Sequence, residues 1–234
     1  MRNSVIVSLI LCGLSVFFSC ERDKEIIPDA GENIFPTGKG RYVISEVYDT
    51  TFNTAGIVVD KYIKKEELGD TFTDLDNRNV QRVNVFRSAY ELGENFQFEP
   101  FRVWGQLLAS DSTAGEYYAE RIEENNRFLV LRFPIFSQAK WNGNLFNTLG
   151  NQIYEYHSTD TTVFIRNQQY DDCVMVVQRA DTNSFITYSF IYEIYAPNIG
   201  KIKRFEKTLV NDGPNGEFNS SESRIYIEEI LSHN

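Results

Sequence analysis

The residue types that most often perform chemistry are scarce in this chain, which has 2 His and 3 Cys among 234 residues. His157 follows Glu155 on what would be the same face of a strand, so a general base oriented by a carboxylate is one interpretation. No Gly-x-Ser-x-Gly, His-Glu-x-x-His or glycine-rich phosphate-binding motif accompanies the pair. We therefore favour a solvated or hydrogen-bonded strand histidine, and we assign no catalytic, cofactor-binding or metal-binding residue.

A short acidic segment begins like a calcium-binding EF-hand loop. Asp74 and Asp76 match the first and third positions of that loop. Arg78 and Asn79, however, stand where the loop needs an oxygen ligand and then glycine. The sequence therefore favours a polar hairpin turn at this place.

A second acidic segment covers residues 113–125. Its glutamates are Glu116, Glu120, Glu123 and Glu124. The pattern fits a short helix and a polar hairpin equally well. We interpret these glutamates as a solvated surface that attracts divalent cations only weakly.

Aromatic residues are the one compositional excess, with 18 Phe and 13 Tyr. Five of them lie in one stretch interleaved with glutamates, namely Tyr90, Phe96, Phe98, Phe101 and Trp104. Barrel interiors contain many aromatic residues, so we favour packing in the core. Aromatic and acidic side chains together also suit stacking on sugars or contact with a partner protein, and in that alternative Tyr90, Phe96, Phe98 and Trp104 form the candidate ligand surface.

The charge and the remaining cysteine exclude two classes of function. The formal net charge is −10, and an acidic chain without a basic stripe repels nucleic-acid phosphate. Cys173 lies in an apolar run, Cys173-Val174-Met175-Val176-Val177, without a supporting His motif. We predict a buried, unreactive thiol.

The first twenty residues have the pattern of an export signal that ends in a lipid-attachment site. Arg2 gives a positive start, and residues 5–18 are mostly apolar but too few to span a membrane, which takes about 20 apolar residues. The end of this run, Phe17-Phe18-Ser19-Cys20, precedes a charged stretch and resembles the lipobox of bacterial lipoproteins, whose cysteine is acylated. Ordinary signal cleavage near Ser19 is the alternative.

The predicted organisation follows from this signal. Residues 1–19 form a lipoprotein signal peptide, residues 20–33 a lipidated cysteine with a flexible tether, and residues 34–234 a single β-rich domain. Several acyl chains anchor a protein stably. The expected location is the outer membrane, on its periplasmic face or at the cell surface.

The domain reads as short runs of alternating apolar and polar residues broken by turn residues, which is typical of antiparallel strands. Eleven segments fit this description: residues 42–48, 57–63, 80–87, 101–108, 128–133, 152–157, 163–166, 173–179, 185–195, 201–209 and 224–231. So many strands would leave long exposed edges in one flat sheet. We predict an all-β, antiparallel, strongly curved sheet that closes as a barrel, a half-barrel or a sandwich.

The clearest strand covers residues 185–195. One face carries Tyr188, Phe190 and Tyr192, and we assign this face to the core. The other face carries Glu193 and Tyr195 among mixed residues, and it has the composition of a groove lining.

Six segments along the domain carry a resemblance to known sequences: Phe35-Pro36, Gly40-Arg41-Tyr42, residues 69–76, Phe133-Pro134, residues 141–150 and residues 192–200. Together they resemble a family of uncharacterised lipoproteins of Gram-negative, Bacteroidetes-type bacteria. The resemblance implies a β-rich lipoprotein domain and carries no catalytic residue. Independently of it, Trp141 in a tight turn reads as a core residue more than as an exposed platform.

Three hypotheses for function remain. The first is a non-enzymatic domain at the cell envelope that binds a protein, glycan or lipid. The second is a lipid or lipoprotein carrier with an apolar half-barrel cavity, by analogy of fold. The third is a hydrolase built from scattered Asp and Glu. A deep apolar cavity favours the carrier, facing carboxylates in a cleft favour the hydrolase, and a flat aromatic patch favours the first.

Overall fold

The structure is a computed structural model that describes residues 31–53, 55–90, 95–111, 116–182, 186–211 and 221–234. The predicted lipid site, Cys20, the signal peptide and most of the predicted tether lie outside these residues. Across the described ranges, no helix is long and apolar enough to cross a membrane.

Twelve antiparallel strands form one sheet. They are β1 (Tyr42–Asn53), β2 (Gly56–Thr73), β3 (Asn79–Ala89), β4 (Glu99–Asp111), β5 (Glu116–Glu123), β6 (Asn126–Phe133), β7 (Lys140–Asn142), β8 (Ile153–Ile165), β9 (Gln168–Asp181), β10 (Thr187–Ala196), β11 (Gly200–Val210) and β12 (Arg224–His233). The order across the sheet is β6-β5-β4-β3-β2-β1-β12-β11-β10-β9-β8-β7. Almost every strand therefore pairs with its neighbour in the chain, and β1 pairs with β12.

The two ends of the sheet meet, so that the sheet is nearly closed as a barrel. The backbone N–H of Leu129 in β6 donates to the carbonyl of Gly143, just after β7, at 2.8 Å. The indole Nε1 of Trp141 donates to the Leu129 carbonyl at 2.9 Å, and Trp141 is buried in the cluster that packs along this seam. The predicted all-β, curved antiparallel fold and the buried Trp141 are confirmed.

The strand predictions differ from the structure in three places. The predicted segments 152–157 and 163–166 belong to one strand, β8. Two strands were not predicted, β5 because it is rich in glutamate and β7 because it has three residues. The segment that fitted a helix and a hairpin equally well is a hairpin, formed by β5 and β6.

The far half of the β8–β9 hairpin packs on the barrel wall. Three register irregularities interrupt the pairing of β8 with β9. Ile165 and Tyr170 beyond them, and Cys173 between the second and the third, cluster with Ile194, Ile202 and Ile230. Arg166, at the hairpin turn, forms an ion pair with the buried Glu46 and so attaches the hairpin to the sheet. Cys173 is buried as predicted, and burial raises the pKa of its thiol to about 11.

The inside and outside of β10 are reversed relative to the sequence prediction. Phe190 and Tyr192 are half-buried and pack on Phe205, on the face that points away from the barrel interior. Glu193 and Tyr195, on the other face, are buried inside the barrel. The charged face lies inside because the neighbouring strand β11 supplies Arg204 and Lys201 as charged partners of Glu193, which period-2 alternation of β10 alone does not reveal.

The segment before β1 covers one end of the barrel. Ile34 and Phe35 are buried, and the N–H of Asn198 donates to the Asn33 carbonyl at 2.8 Å. The side-chain amide of Gln106 in β4 donates to the carbonyl of Pro36 at 2.9 Å. The packed part of the chain therefore includes Asn33, which the sequence prediction had placed at the end of the tether.

Candidate functional site

A cavity of about 130 Å³ lies in the barrel interior beneath this N-terminal segment. Part of its wall is apolar, formed by Phe35, Leu68, Phe128 and Val130. The rest is charged and polar. The charged residues of the lining are Arg41, Glu66, Arg121, Glu123, Glu193, Lys201, Arg204 and Glu228.

Alternating strand residues bring these charges inside the barrel. Cross-strand pairing places Glu193 of β10 opposite Arg204 of β11, and Arg204 opposite Glu228 of β12. Opposite charges in such positions attract, so the register of three neighbouring strands builds one row of alternating sign. The sheet thus positions the charged wall without help from loops.

Lys64 and Arg121 form the closest ion pairs of the interior. Lys64 Nζ lies 2.6 Å from Glu228 Oε2 and 2.9 Å from Glu66 Oε1. Arg121 Nη2 lies 2.7 Å from Glu66 Oε2. Since the side chains of Lys64, Glu66, Arg121 and Glu228 are at most 13% exposed, these pairs are largely shielded from water.

Glu193 is held by three donors. The Tyr195 hydroxyl donates to Glu193 Oε2 at 2.6 Å, and the Gln178 amide donates to the same oxygen at 2.9 Å. Arg204 Nη1 donates to Glu193 Oε1 at 3.2 Å. Burial and the negative charge of Glu193 both raise the pKa of Tyr195, so its hydroxyl remains a donor.

Lys201 differs from the other cations. Its Nζ lies 3.7 Å from oxygens of Glu66 and Glu228 and 3.9 Å from Glu193 Oε1. Among the described residues no hydrogen bond reaches this ammonium, although its side chain is 12% exposed. A largely shielded ammonium that borders a cavity and has no close acceptor leaves donor capacity unused.

A second donor beside the cavity is also unsatisfied. The Nε–H of Arg121 is buried and has no hydrogen-bond acceptor in the described residues. Its nearest carboxylate oxygen, Glu123 Oε1, is 3.7 Å away. Because this atom is closed off from the cavity, Lys201 is the donor that a molecule inside the cavity can reach.

The carboxylates of Glu66 and Glu228 are ionised at neutral pH. Burial by itself raises the pKa of Glu66, but the positive charges of Arg121, Lys201 and Lys64 hold it well below its usual range. The same balance of burial against Lys201 and Lys64 lowers the pKa of Glu228. Such carboxylates accept hydrogen bonds and do not act as general acids near neutral pH.

The four aromatic residues of the predicted ligand surface do not form one surface. Trp104 packs against the cluster of Leu68, Val83 and Val85, with its ring 5.8 Å from Lys64 Nζ, and its buried Nε1 has no hydrogen-bond acceptor in the described residues. The ring centroid of Tyr90 instead lies 3.3 Å from Lys61 Nζ, and Lys61 is on the face of β2 opposite to Lys64.

Phe96 and Phe98 lie in the connection before β4, where their ring centroids are 5.8 Å apart. The sequence prediction failed for the group as a whole because nearness along the chain does not set the face on which a strand residue lies.

The first acidic segment is a hairpin turn, as predicted. Asp74 Oδ1 accepts hydrogen bonds from the N–H groups of Asp76 and Arg78, and Asp74 Oδ2 pairs with the Arg78 guanidinium at 2.5 Å. Over the described ranges, no group of three or more His, Cys, Asp or Glu is arranged to hold a metal ion. His157 is exposed.

The second acidic segment requires a correction. Glu120 is not on a solvated surface but fully buried, and it accepts hydrogen bonds from Arg78 and Arg127. Glu123 lines the cavity. Both residues lie on β5. On a regular strand, residues three apart point to opposite sides of the sheet. A bulge beside Glu120 makes the pairing of β5 with β6 irregular at that point.

Sequence reasoning missed most of the interior site. Glu193 and Tyr195 were placed on the mixed strand face, but Glu66, Arg121, Lys201, Arg204 and Glu228 were not singled out. The available signal was charge on alternate positions of otherwise apolar strands, as in Arg204-Phe205-Glu206.

Comparisons with known proteins add no relative. No protein-family model, no curated protein and no solved structure matches this chain. The resemblance to Gram-negative lipoproteins therefore stays a prediction, and function has to be argued from the barrel interior.

Proposed function

We propose that this protein is a lipid-anchored binding domain of the cell envelope that holds a small hydrophilic molecule inside its barrel. The observation that carries the proposal is the position of Lys201. Its ammonium lies 3.7–3.9 Å from three carboxylates, without a hydrogen bond, at the wall of a 130 Å³ cavity. A bound molecule would supply the missing acceptor.

The size and polarity of the cavity support a small hydrophilic ligand over a lipid. Pockets for drug-sized ligands measure about 300–1,000 Å³. This cavity measures about 130 Å³, which is the volume that about four molecules occupy in liquid water. An acyl chain placed here would also lie against buried charges and would satisfy none of them. Both arguments count against the carrier alternative.

The electrostatics support binding over hydrolysis. A hydrolase with two carboxylates uses one as a general acid, whose pKa is raised. Here Arg121, Lys201 and Lys64 lower the pKa of Glu66 against the effect of burial. The carboxylates are thus suited to accept hydrogen bonds from a ligand.

The anchor in this proposal is Cys20, supported by the sequence pattern around it. Fatty acid carrying a radioactive label should enter the wild-type chain and not Cys20→Ala. Equal labelling of the two proteins would remove the anchor from the proposal and leave the interior site unaffected.

Native mass spectrometry of the full-length chain, purified in mild detergent, tests the binding function. We expect a population with a small bound mass, lost in Lys201→Met and retained in Lys203→Met. Lys203 is the matched control because it lies on the same strand but pairs with Glu229 at 2.6 Å, with a side chain 23% exposed. If the wild-type chain carries no small molecule and binds none from a mixed panel of hydrophilic compounds, the proposal is wrong.

A further inference from the structure

We infer that the molecule held in the cavity is a neutral polyhydroxyl compound, a short polyol or a small sugar. This inference rests on the binding function proposed above and assigns the chemical class of the ligand. It follows from the charge balance, the unused hydrogen-bonding groups and the mixed wall of the cavity.

The charges of the interior are balanced and interleaved. The cavity lining carries four cations, Arg41, Arg121, Lys201 and Arg204, and four carboxylates, Glu66, Glu123, Glu193 and Glu228. Lys64 lies behind the lining, paired with Glu66 and Glu228. Arg41 donates to the Asn198 carbonyl, and each of the other cations lies within 4 Å of at least one carboxylate, so the two signs are interleaved. A ligand with a net charge would add an uncompensated charge to a nearly neutral, shielded interior, and that is costly.

The hydrogen-bonding groups that face the cavity need a partner that both donates and accepts. Lys201 Nζ is a donor without an acceptor among the described residues. Glu123, with a side chain 25% exposed, is an acceptor whose ion-pair partner, Arg121 Nε, is 3.7 Å away. A hydroxyl group donates one hydrogen bond and accepts two, so several hydroxyls on one small molecule can satisfy both kinds of group.

The apolar part of the wall fits the carbon skeleton of such a compound. The apolar part of the cavity wall includes Phe35, Phe128 and Val130. The C–H groups of a polyol or sugar can lie against these side chains while its hydroxyls face the charged residues. An engineered cavity of similar volume holds a ligand of the size of benzene, so a compound with a few carbons fits.

Isothermal titration of the full-length chain in mild detergent tests the ligand class. Erythritol, erythronate and 1-amino-1-deoxyerythritol share one carbon chain and are neutral, anionic and cationic; ribose and glucose extend the neutral series in size. We expect at least one neutral compound to bind at least about ten-fold more tightly than either charged one. Saturation-transfer NMR of the same compounds provides a second readout that osmolyte effects on stability do not mimic.

Three variants locate the binding. Lys201→Met and Glu123→Gln should each weaken binding of the neutral compound by about ten-fold or more. The first removes the unused donor, and the second replaces the charged carboxylate by a neutral amide with one acceptor oxygen. Lys203→Met should bind like the wild type. Circular dichroism of all variants checks that they are folded, and Glu123→Gln serves as the second test should Lys201→Met fail to fold.

Two outcomes would overturn the inference. If erythronate or the amino compound binds most tightly, or if a bound mass is seen by native mass spectrometry while no neutral compound binds, the ligand class is wrong and the binding function stands. If no compound binds and no bound mass is found, the binding function fails together with the inference.

Discussion

Glu120 and Glu66 are both buried glutamates held by arginine, but their surroundings differ. Glu120 accepts four hydrogen bonds at 2.8–3.2 Å from Arg78 and Arg127. Glu66 has close contacts to Lys64 and Arg121, while Lys201 stays 3.7 Å away beside a cavity.

The difference separates a structural cluster from a candidate site. The donors around Glu120 are used within the protein, and Arg78 is held in addition by Asp74. The interior cluster leaves donors unused where there is room for another molecule. A buried ion pair alone is therefore weak evidence for function, and an unsatisfied one beside a cavity is stronger.

The largest expected effect comes from Glu66→Gln. The change leaves Lys64 and Arg121 buried with less compensation, so we expect the free energy of unfolding to fall by about 3–5 kcal/mol. Denaturant unfolding at neutral pH measures it. Glu67→Gln is the control, since Glu67 is paired with Lys65 and has a side chain 33% exposed, and it should change stability by about 1 kcal/mol or less. Equal losses in the two variants would show that the interior cluster is open to water.

Glu120→Gln should cost less, about 1–3 kcal/mol. Its partners Arg78 and Arg127 have side chains 23% and 28% exposed, so water can partly solvate them once the carboxylate is gone. Binding of the neutral compound should be unchanged, as measured by titration calorimetry. A loss of binding in this variant would mean that the two clusters are coupled, and the distinction between them would not hold.

Acid should weaken the barrel through its interior carboxylates. The folded-state pKa values of Glu66 and Glu228 are lowered from 4.5, because the surrounding cations outweigh burial. As the pH falls below this value, the unfolded chain binds protons before the folded protein does. The stability that these two carboxylates contribute is therefore fully present above this pH, and it is lost as the pH falls toward their lowered folded-state pKa values. The slope should be up to about 1.4 kcal/mol per pH unit for each carboxylate.

Denaturant unfolding across the acid range checks this pH dependence. Glu66→Gln should show a shallower acid slope than the wild type, because one of the two linked carboxylates is absent. An unchanged slope would assign the acid sensitivity to other groups.

The smallest effect on stability should come from Lys201→Met, about 1–2 kcal/mol. Among the described residues no hydrogen bond to the ammonium is lost, and Glu66, Glu228 and Glu193 all keep closer cations. What is lost is the attraction by which Lys201 helps to lower the pKa values of Glu66 and Glu228. Paired denaturant unfolding with Lys203→Met measures the difference. A loss as large as that of Glu66→Gln would make Lys201 a structural residue.

Local features of the fold were predictable from the sequence because they depend on near neighbours. Asp74 and Arg78 form their turn within a few residues, and Cys173 is buried within an apolar run. The glutamates of β5 misled the prediction, since Glu120 is compensated by Arg78, 42 residues away.

The sequence by itself determined that this chain forms antiparallel strands, because period-2 alternation and turn residues act locally. It did not determine which face of each strand lies inside. Phe190 and Glu193 sit on opposite faces of β10, and Lys201 and Arg204 reach Glu193 from the neighbouring strand β11. Only the curvature of the whole sheet brings Lys201 of β11 and Arg121 of β5 against Glu66 of β2, and this decides that the charged face is buried. A buried charge is stable only with its partners in place, and these partners come from other strands. The candidate site is therefore a property of the closed sheet and not of any one segment.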